Sequence, residues 1–465
     1  MNLLEYLNFC AILHEKDADM KRLIEAKLLD WKNRNNKMPL LVYGARQVGK
    51  TTTIVDFAKL YYANALIFNF ESSALLASIF GRDLNPNRII VELESLSGKS
   101  IQKGSTLLFF DEIQACPNAL TSLKYFYEQA PEYHIIAAGS LLGVTVNRKG
   151  KQTNVMNGDI YDGCKVSFPV GKVETLTMYP MTFEEFLILV NLPLLNAIRD
   201  SYKSNMCLPE PLHEKALELY RIYLYVGGMP RAVYEYAENQ NDDDYIRIRQ
   251  NEILSLYSAD MAKYTTQSEQ VKIAAIYDSI PSQLAKENRK FQYSVIGSYA
   301  RAASYEIGMS WLKSSGLVIN STKVHEGKMP LAYYTDNLSY KIYMSDIGLL
   351  NAKSNAPRTL VLSGRLAGEA KGAMTENYVA QELTANGHTI YYWESNGKAE
   401  MDFVIQLGDD VVPIEVKSAD NVMAKSLKQF AAKYAPAYSI RVSAKNFGFE
   451  NKIKSVPLYA VFCIR

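Results

Sequence analysis

Short apolar runs alternate with helical stretches from Pro39 onward, at Leu40–Tyr43, Leu66–Phe70, Thr106–Phe110, His134–Ala138 and Val173–Met178. This alternation predicts a parallel sheet flanked by helices. Residues 1–38 read as a polar helical lead-in, with Leu23, Ile24, Leu28, Leu29 and Trp31 marking an apolar face. Thr182, followed by Glu185 and the apolar Phe183, Phe186 and Leu187, reads as a capping box that opens a helix. Residues 145–165 break the rhythm. They are polar and carry Arg148, Lys149, Lys151 and Lys165, which predicts a mildly basic loop or hairpin. From about 210 to 290 the pattern is almost wholly helical, and Asp242–Asp244 marks a turn or an exposed helix start.

Residues 290–350 predict a small helix-turn-helix unit with a strand pair. Ser294 caps a short helix, and Arg301–Ser314 forms a second with Ile307, Trp311 and Leu312 on its face. Leu317–Val324 and Leu331–Met344 then pair as a wing-like hairpin across Gly327–Pro330. The remainder predicts a helix at about Gly372–Ala385, strands at Thr389–Trp393, Met401–Gln406 and Val411–Val416, a helix at Ser426–Tyr434 and a strand at Tyr438–Val442.

Composition narrows the class. The chain has 465 residues, 51 Lys and Arg against 49 Asp and Glu, 48% hydrophobic and 22% charged residues. These values exclude wholesale disorder, a collagen-like fibre and a bulk polycation. The net charge of +2 still allows a local basic groove. The five cysteines, Cys10, Cys116, Cys164, Cys207 and Cys463, include no pair at zinc-ligand spacing. Their sparseness predicts reduced thiols in a cytoplasmic protein. Met1–Leu13 is apolar but interrupted by Glu5 and lacks a basic leader, so it does not read as a signal peptide. No apolar run reaches the roughly 18 residues a membrane span needs.

Gly44-Ala45-Arg46-Gln47-Val48-Gly49-Lys50-Thr51 fits G-x-x-x-x-G-K-S/T, after an apolar strand and at the start of a helix. The glycines let backbone N–H groups face phosphate oxygens, and the helix N-terminus adds positive partial charge. Lys50 then reaches the β- and γ-phosphates of ATP, the Thr51 hydroxyl ligates Mg²⁺, and Thr52 completes the nucleotide contacts. Leu107–Phe110 is an apolar run ending in Asp111-Glu112. Asp111 would hold the Mg²⁺ through water, and Glu112 would polarise the attacking water. A third strand ends at Gly139-Ser140, where Ser140 is either a γ-phosphate sensor or part of a plain strand-end turn.

On Gly44–Thr51, Asp111-Glu112-Ile113-Gln114 and Gly227-Gly228-Met229-Pro230-Arg231, residues of roughly 20–240 resemble the archaeal-type AAA ATPases related to signal-transducing ATPases with numerous domains. The resemblance implies a helical lid whose Pro230 lies near the nucleotide and whose Arg231 approaches the phosphates. The same residues also read as a helix C-cap followed by a proline opening the next helix. No arginine finger is marked, since Arg46, Arg82, Arg88 and Arg148 all qualify.

Glu415 and Lys417 lie two apart in a strand and share a face, and a hairpin across Gly408-Asp409-Asp410 would set Asp402 beside Glu415. Paired carboxylates suit Mg²⁺ or Mn²⁺, and a nearby lysine can orient water for phosphodiester hydrolysis. The arrangement resembles the PD-(D/E)xK nuclease superfamily over about residues 370–443, with Glu376 where some members place a further acidic residue. Gln429 and Tyr434 loosely match a motif of one nuclease branch, with one extra residue of spacing. The proline that often precedes the Asp is absent. Some members of that superfamily only bind.

The whole order resembles a widespread group of predicted bacterial and archaeal ATPases with a C-terminal domain of unassigned function. The expected class is α/β: a P-loop NTPase with an AAA-like parallel sheet, a helical lid, a winged-helix-like segment and a smaller restriction-endonuclease-like domain. The expected division is a lead-in at 1–38, an ATPase core at 39–205, a lid at 206–265, a winged-helix-like domain at 266–350 and a nuclease-like domain at 351–465. Lys286, Arg289, Lys290, Arg301, Lys313 and Lys323 are the candidate phosphate contacts if the winged segment binds DNA. Two functions stand. One is a Mg²⁺-dependent ATPase controlling a nuclease-like domain that acts on or binds DNA. The other is an ATP-driven switch or scaffold whose C-terminal domain recognises a protein partner.

Overall fold

The computed structural model describes residues 21–140, 169–238, 243–395, 399–417 and 425–465. The expected 145–165 loop, Met1–Leu13 and Asp242 lie outside the described residues. The chain divides into two compact units, Met1–Tyr179 and Pro180–Arg465.

The first unit contains α1 (Ile24–Asn33), β1 (Leu40–Tyr43), α2 (Lys50–Tyr61), β2 (Asn64–Asn69), α3 (Ala74–Arg82), α4 (Pro86–Ser97), β3 (Thr106–Asp111), α5 (Pro117–Gln129), β4 (His134–Ala138) and β5 (Glu174–Thr177). All five strands run parallel in the order β2-β3-β4-β1-β5. The apolar runs read from the sequence are these strands, shifted by at most two residues. Leu107, Leu108, Phe109 and Phe110 are at most 1% exposed, which explains an uninterrupted apolar run where a half-exposed strand would alternate. Phe70, Phe80 and Phe126 each set a ring edge-on to Phe110, packing α3 and α5 onto one face of the sheet.

The second unit opens on α6 (Phe183–Val190), whose start is the capping box expected at Thr182 and Glu185. Further helices are α7 (Leu192–Ser204), α8 (Glu210–Val226), α9 (Pro230–Glu238), α10 (Asp243–Tyr264), α11 (Gln267–Leu284) and α12 (Ala302–Ser314). Then come β6 (Val318–Val324), β7 (Thr335–Met344), α13 (Ile347–Lys353), α14 (Arg358–Leu362), α15 (Gly368–Ala385), β8 (Tyr391–Ser395), β9 (Ala399–Leu407), β10 (Asp410–Val416), α16 (Lys425–Tyr434), β11 (Ser439–Ser443), β12 (Gly448–Glu450) and β13 (Ile453–Pro457).

Two features differ from the winged-helix expectation. β6 and β7 pair antiparallel, but β6 also pairs in parallel with β8, so the hairpin is part of one sheet ordered β12-β13-β11-β10-β9-β8-β6-β7. On α12, Trp311 and Leu312 are buried with Met309, whereas Ile307 is 67% exposed. Gly308 approaches Ile273 and Ile276 of α11 and takes the close-packing place that Ile307 was expected to fill. From α15 to β11 the order is helix, three strands, helix, strand. Among the described residues no helix is long and apolar enough to cross a membrane.

Candidate functional site

The phosphate loop is shaped by backbone that only glycine adopts freely. Gly44 has φ +149°, and a Cβ there would lie 2.2 Å from the Met178 carbonyl oxygen. Gly49, at φ +92°, caps α2. Ala45 and Val48 are buried beneath the loop. Arg22, itself buried, donates to the carbonyls of Val48 (2.7 Å) and Tyr179 (2.8 Å), bracing the loop through its backbone. The Lys50 ammonium lies 2.9 Å from the Gly44 carbonyl and 2.8 Å from that of Ala45. The Arg46 guanidinium stands 3.5 Å from the Glu71 carboxylate.

The carboxylates arrive from β3. The Thr51 hydroxyl donates to both oxygens of Asp111, at 3.1 and 3.2 Å, across 60 residues of chain. Burial, followed by the Glu112 charge, pushes the Asp111 carboxyl above its usual range. Glu112 adopts the left-handed conformation at φ +49°, unusual for a side-chain-bearing residue, and accepts a hydrogen bond from Gln114. β4 lies between the loop strand β1 and the carboxylate strand β3. Just beyond it, Ser140 is 5% exposed and its hydroxyl has no hydrogen-bond partner among the described residues. An unsatisfied buried hydroxyl costs about 1–3 kcal/mol, so this one suits a ligand oxygen. Lys50, Thr51, Asp111, Glu112 and Ser140 lie at or just beyond the carboxyl ends of parallel strands, or on the helix that follows β1, where open α/β sheets take their ligands. A hydroxyl and a carboxylate on one cation position, with an ammonium and a free hydroxyl nearby, fit a Mg²⁺-bound triphosphate.

Residues 36–187 match the model of an AAA domain. The match supports an AAA-type ATPase. Residues 217–359 and 371–461 match two domains of unknown function, DUF8612 and DUF4143. No curated protein matches the chain. Among solved structures it is similar to the Walker-type ATPase of Pyrococcus abyssi, at 16% identity over 72% of this chain and 96% of that one, with a TM-score of 0.43. It is also similar to a signal-transduction ATPase with a tetratricopeptide-repeat sensor from Pyrococcus horikoshii, at 15% identity over 78% of this chain and 45% of that one, TM-score 0.25. A third is PCH-2 of C. elegans, at 12% identity over 67% and 66% of the two chains, TM-score 0.19.

The second unit gathers the other candidates. β9 and β10 pair antiparallel with Phe403 opposite Ile414, and the Asp402 carboxylate accepts from the Val416 N–H at 2.7 Å. Asp402 therefore lies against the β10 backbone between Glu415 and Lys417. The β8–β9 register shifts between Tyr391, opposite Val404, and Trp393, opposite Met401, so β9 carries an extra residue around Asp402. Burial, with Glu376 nearby, pushes the Asp402 carboxyl up to about 7. The Lys417 ammonium is 2.8 Å from one Glu415 oxygen, and the other Glu415 oxygen is buried without a partner.

Glu376 is enclosed rather than open. One oxygen accepts from Lys341 at 3.1 Å and from the Tyr343 hydroxyl at 2.6 Å, and the other pairs with Arg289. Burial opposes its charge, but Lys341 and Arg289 prevail and hold the carboxyl below its usual range. Lys341 also pairs with Glu400 at 2.5 Å. Nothing in the local sequence marked Lys341 or Tyr343; two-residue spacing on β7 is their only signal. Gln429 is exposed on α16, while Tyr434 packs against Trp393 and Phe430 and accepts the Trp393 indole N–H at 3.1 Å. Among the described residues no three His, Cys, Asp or Glu side chains are grouped as a metal site.

The candidate DNA contacts are mostly engaged within the unit. Arg289 pairs with Glu376, Lys290 and Lys323 with Glu394, Lys286 with Gln292, and Lys313 lies over the Tyr340 ring. Arg301 is exposed. Pro230 opens α9 and is buried, and Arg231, half-exposed, pairs with Glu252 at 3.2 Å. The preceding bend is held by the fully buried Asp346, which accepts from the N–H of Gly228 at 2.6 Å and of Leu349 at 2.9 Å.

Proposed function

We propose that this AAA-type protein is a Mg²⁺-dependent ATPase whose nucleotide state controls its C-terminal nuclease-like domain, which acts on or binds DNA. The observation that carries the ATPase half is the Thr51 hydroxyl on the Asp111 carboxylate, beside the buried, unpartnered Ser140 hydroxyl. Bound MgATP supplies the scissile phosphoanhydride and a Lewis acid. Lys50 offers its ammonium to the phosphates in place of the carbonyls it now touches. Thr51 and Asp111 hold the cation, Asp111 through water. Glu112 orients and polarises the attacking water, and its strained backbone fixes where its carboxylate stands. Ser140 donates to the γ-phosphate.

The nuclease-like half rests on Asp402 lying against β10 next to Glu415 and on Lys417 paired to that same carboxylate. Purified protein with Mg²⁺ or Mn²⁺ and DNA, with and without ATP, tests it beside Lys417→Ala. No nicking under any condition, or equal cleavage by the mutant, defeats this half. A second reading, a switch that binds a partner without cleaving, is favoured by the internal pairing of Arg289, Lys290 and Lys323 and by the enclosed Glu376. Cleavage separates the two, because only the first predicts nicking that Lys417→Ala abolishes.

A further inference from the structure

The second unit contains a buried lysine that the proposed function does not use. Lys341 is 0% exposed, and its ammonium touches Glu376 at 3.1 Å and Glu400 at 2.5 Å. It also stands 5.2 Å over the Tyr392 ring. Burial alone would strip its proton, but Glu376, Glu400 and Asp402 keep the ammonium charged. Tyr343, two residues along the same strand, meets the same Glu376 oxygen at 2.6 Å, so β7 delivers a paired grip on that carboxylate.

Counting charges shows what this does. Four carboxylates, Glu376, Glu400, Asp402 and Glu415, meet three cations, Arg289, Lys341 and Lys417. Two of those cations, Arg289 and Lys341, lie on Glu376, and Lys341 alone bridges Glu376 to Glu400. Among the described residues, the buried oxygen of the group without a hydrogen-bond partner belongs to Glu415, at the other end, next to Asp402.

We propose that Lys341 is the resident counter-ion of this cluster. It fills between Glu376 and Glu400 the charge role of a divalent cation, and it leaves Asp402 and Glu415 as the pair that takes a metal. The second clause rests on the nuclease-like reading; the first does not. The site is then composite, because its internal cations come from the segment before the C-terminal domain, Arg289 ahead of α12 and Lys341 on β7.

Mn²⁺ binding to the full chain, followed by electron paramagnetic resonance without nucleotide, tests this in an Asp111→Asn background that removes the carboxylate beside the phosphate loop. Binding in that background is expected to vanish with Asp402→Asn and to stay within about twofold in Glu376→Gln, which removes a carboxylate Lys341 already satisfies. Lys341→Met takes from Glu376 one of its two cations and from the partly exposed Glu400 the ammonium that bridges the two, so Mn²⁺ is expected to bind about 10-fold more tightly or in a second equivalent. Lys341→Arg, which keeps the charge, should match the parent. Lys341→Met binding no more tightly than the parent overturns the counter-ion role. Loss of Mn²⁺ in Glu376→Gln as complete as in Asp402→Asn overturns it too, and that variant decides the matter if Lys341→Met does not fold. Gain in Lys341→Met without any binding in the parent supports the counter-ion and defeats only the nuclease-like metal pair.

Discussion

The phosphate loop and the C-terminal cluster use the same residue types, lysines and carboxylates, and differ in what those groups touch. Around the loop, the Lys50 ammonium lies on backbone carbonyls, the buried Ser140 hydroxyl has no hydrogen-bond partner among the described residues, and Asp111 meets a hydroxyl. In the C-terminal cluster the Lys341 ammonium bridges two carboxylates and Glu376 has three partners. The contacts described around the loop, to backbone carbonyls and a hydroxyl, are ones that a phosphate and its cation can replace. The cluster compensates most of its charge within the fold. Buried ion pairs repay their desolvation only when their geometry is this complete, and such pairs fix structure more readily than they bind ligands.

The largest way to break this contrast is at Lys50. Lys50→Ala removes the ammonium from the phosphates, and steady-state ATP turnover is expected to fall about 100-fold or more. The Lys50 side chain is buried, so the melting temperature of the variant is read beside its turnover. Turnover at the parent rate would end the ATPase reading. Glu112→Gln separates binding from chemistry. It keeps the shape and the Gln114 contact, so fluorescent-nucleotide affinity should hold while turnover falls about 100-fold, in the range for losing a general base.

The phosphate loop was legible because its chemistry is local. Eight consecutive residues define it, and the Asp111-Glu112 pair ends an apolar run that only a buried parallel strand explains. Neither the left-handed Glu112 nor the bracing by Arg22 could be read, because one is a backbone angle and the other a contact across 26 residues. In the C-terminal cluster the helix and strand order was legible from two-residue and helical periods. The partners of Glu376 were not, since Arg289 and Lys341 lie 87 and 35 residues away. The extra residue around Asp402 is invisible as well, because a bulge shifts register without altering composition. The hairpin expected to stand alone as a wing joins a larger sheet for a similar reason: β6 and β8 are separated by β7 and three helices, a pattern that gives no sign of their pairing.

A third test concerns the cost of the compensated region. Glu382 is fully buried on α15, with one oxygen accepting from the Phe183 N–H at 2.9 Å and the other unpartnered. Burial, then the nearby Glu184 and Glu185 charges, pushes its carboxyl up to about 8. Its folded pKa lies above the ordinary glutamate value of 4.5, so the folded state holds this proton more tightly. The stability this group contributes is complete below about 4.5, is lost as pH rises through the window to about 8, and changes no further above it. Melting temperature should therefore decline across that window. Glu382→Gln, which keeps an acceptor for Phe183 and carries no charge, should flatten the decline and melt above the parent on the alkaline side. A parent whose melting temperature rises over the window would show that Glu382 is not held protonated.

The smallest expected effect sharpens the contrast most, because it concerns a buried hydroxyl beside the loop with no hydrogen-bond partner among the described residues. Ser140→Ala deletes an unsatisfied buried group, so it should leave the protein at least as stable, whereas the loss of a partnered buried hydroxyl would destabilise it. If that hydroxyl meets the γ-phosphate, its charge-assisted hydrogen bond is worth about 1.5–3 kcal/mol, and turnover should fall about 10-fold or somewhat more. ADP has no γ-phosphate, so affinity for ADP should not move while affinity for a non-hydrolysable ATP analogue weakens. Equal weakening for both nucleotides would place Ser140 away from the γ-phosphate. A stability loss with unchanged turnover would make it an ordinary strand-end turn residue.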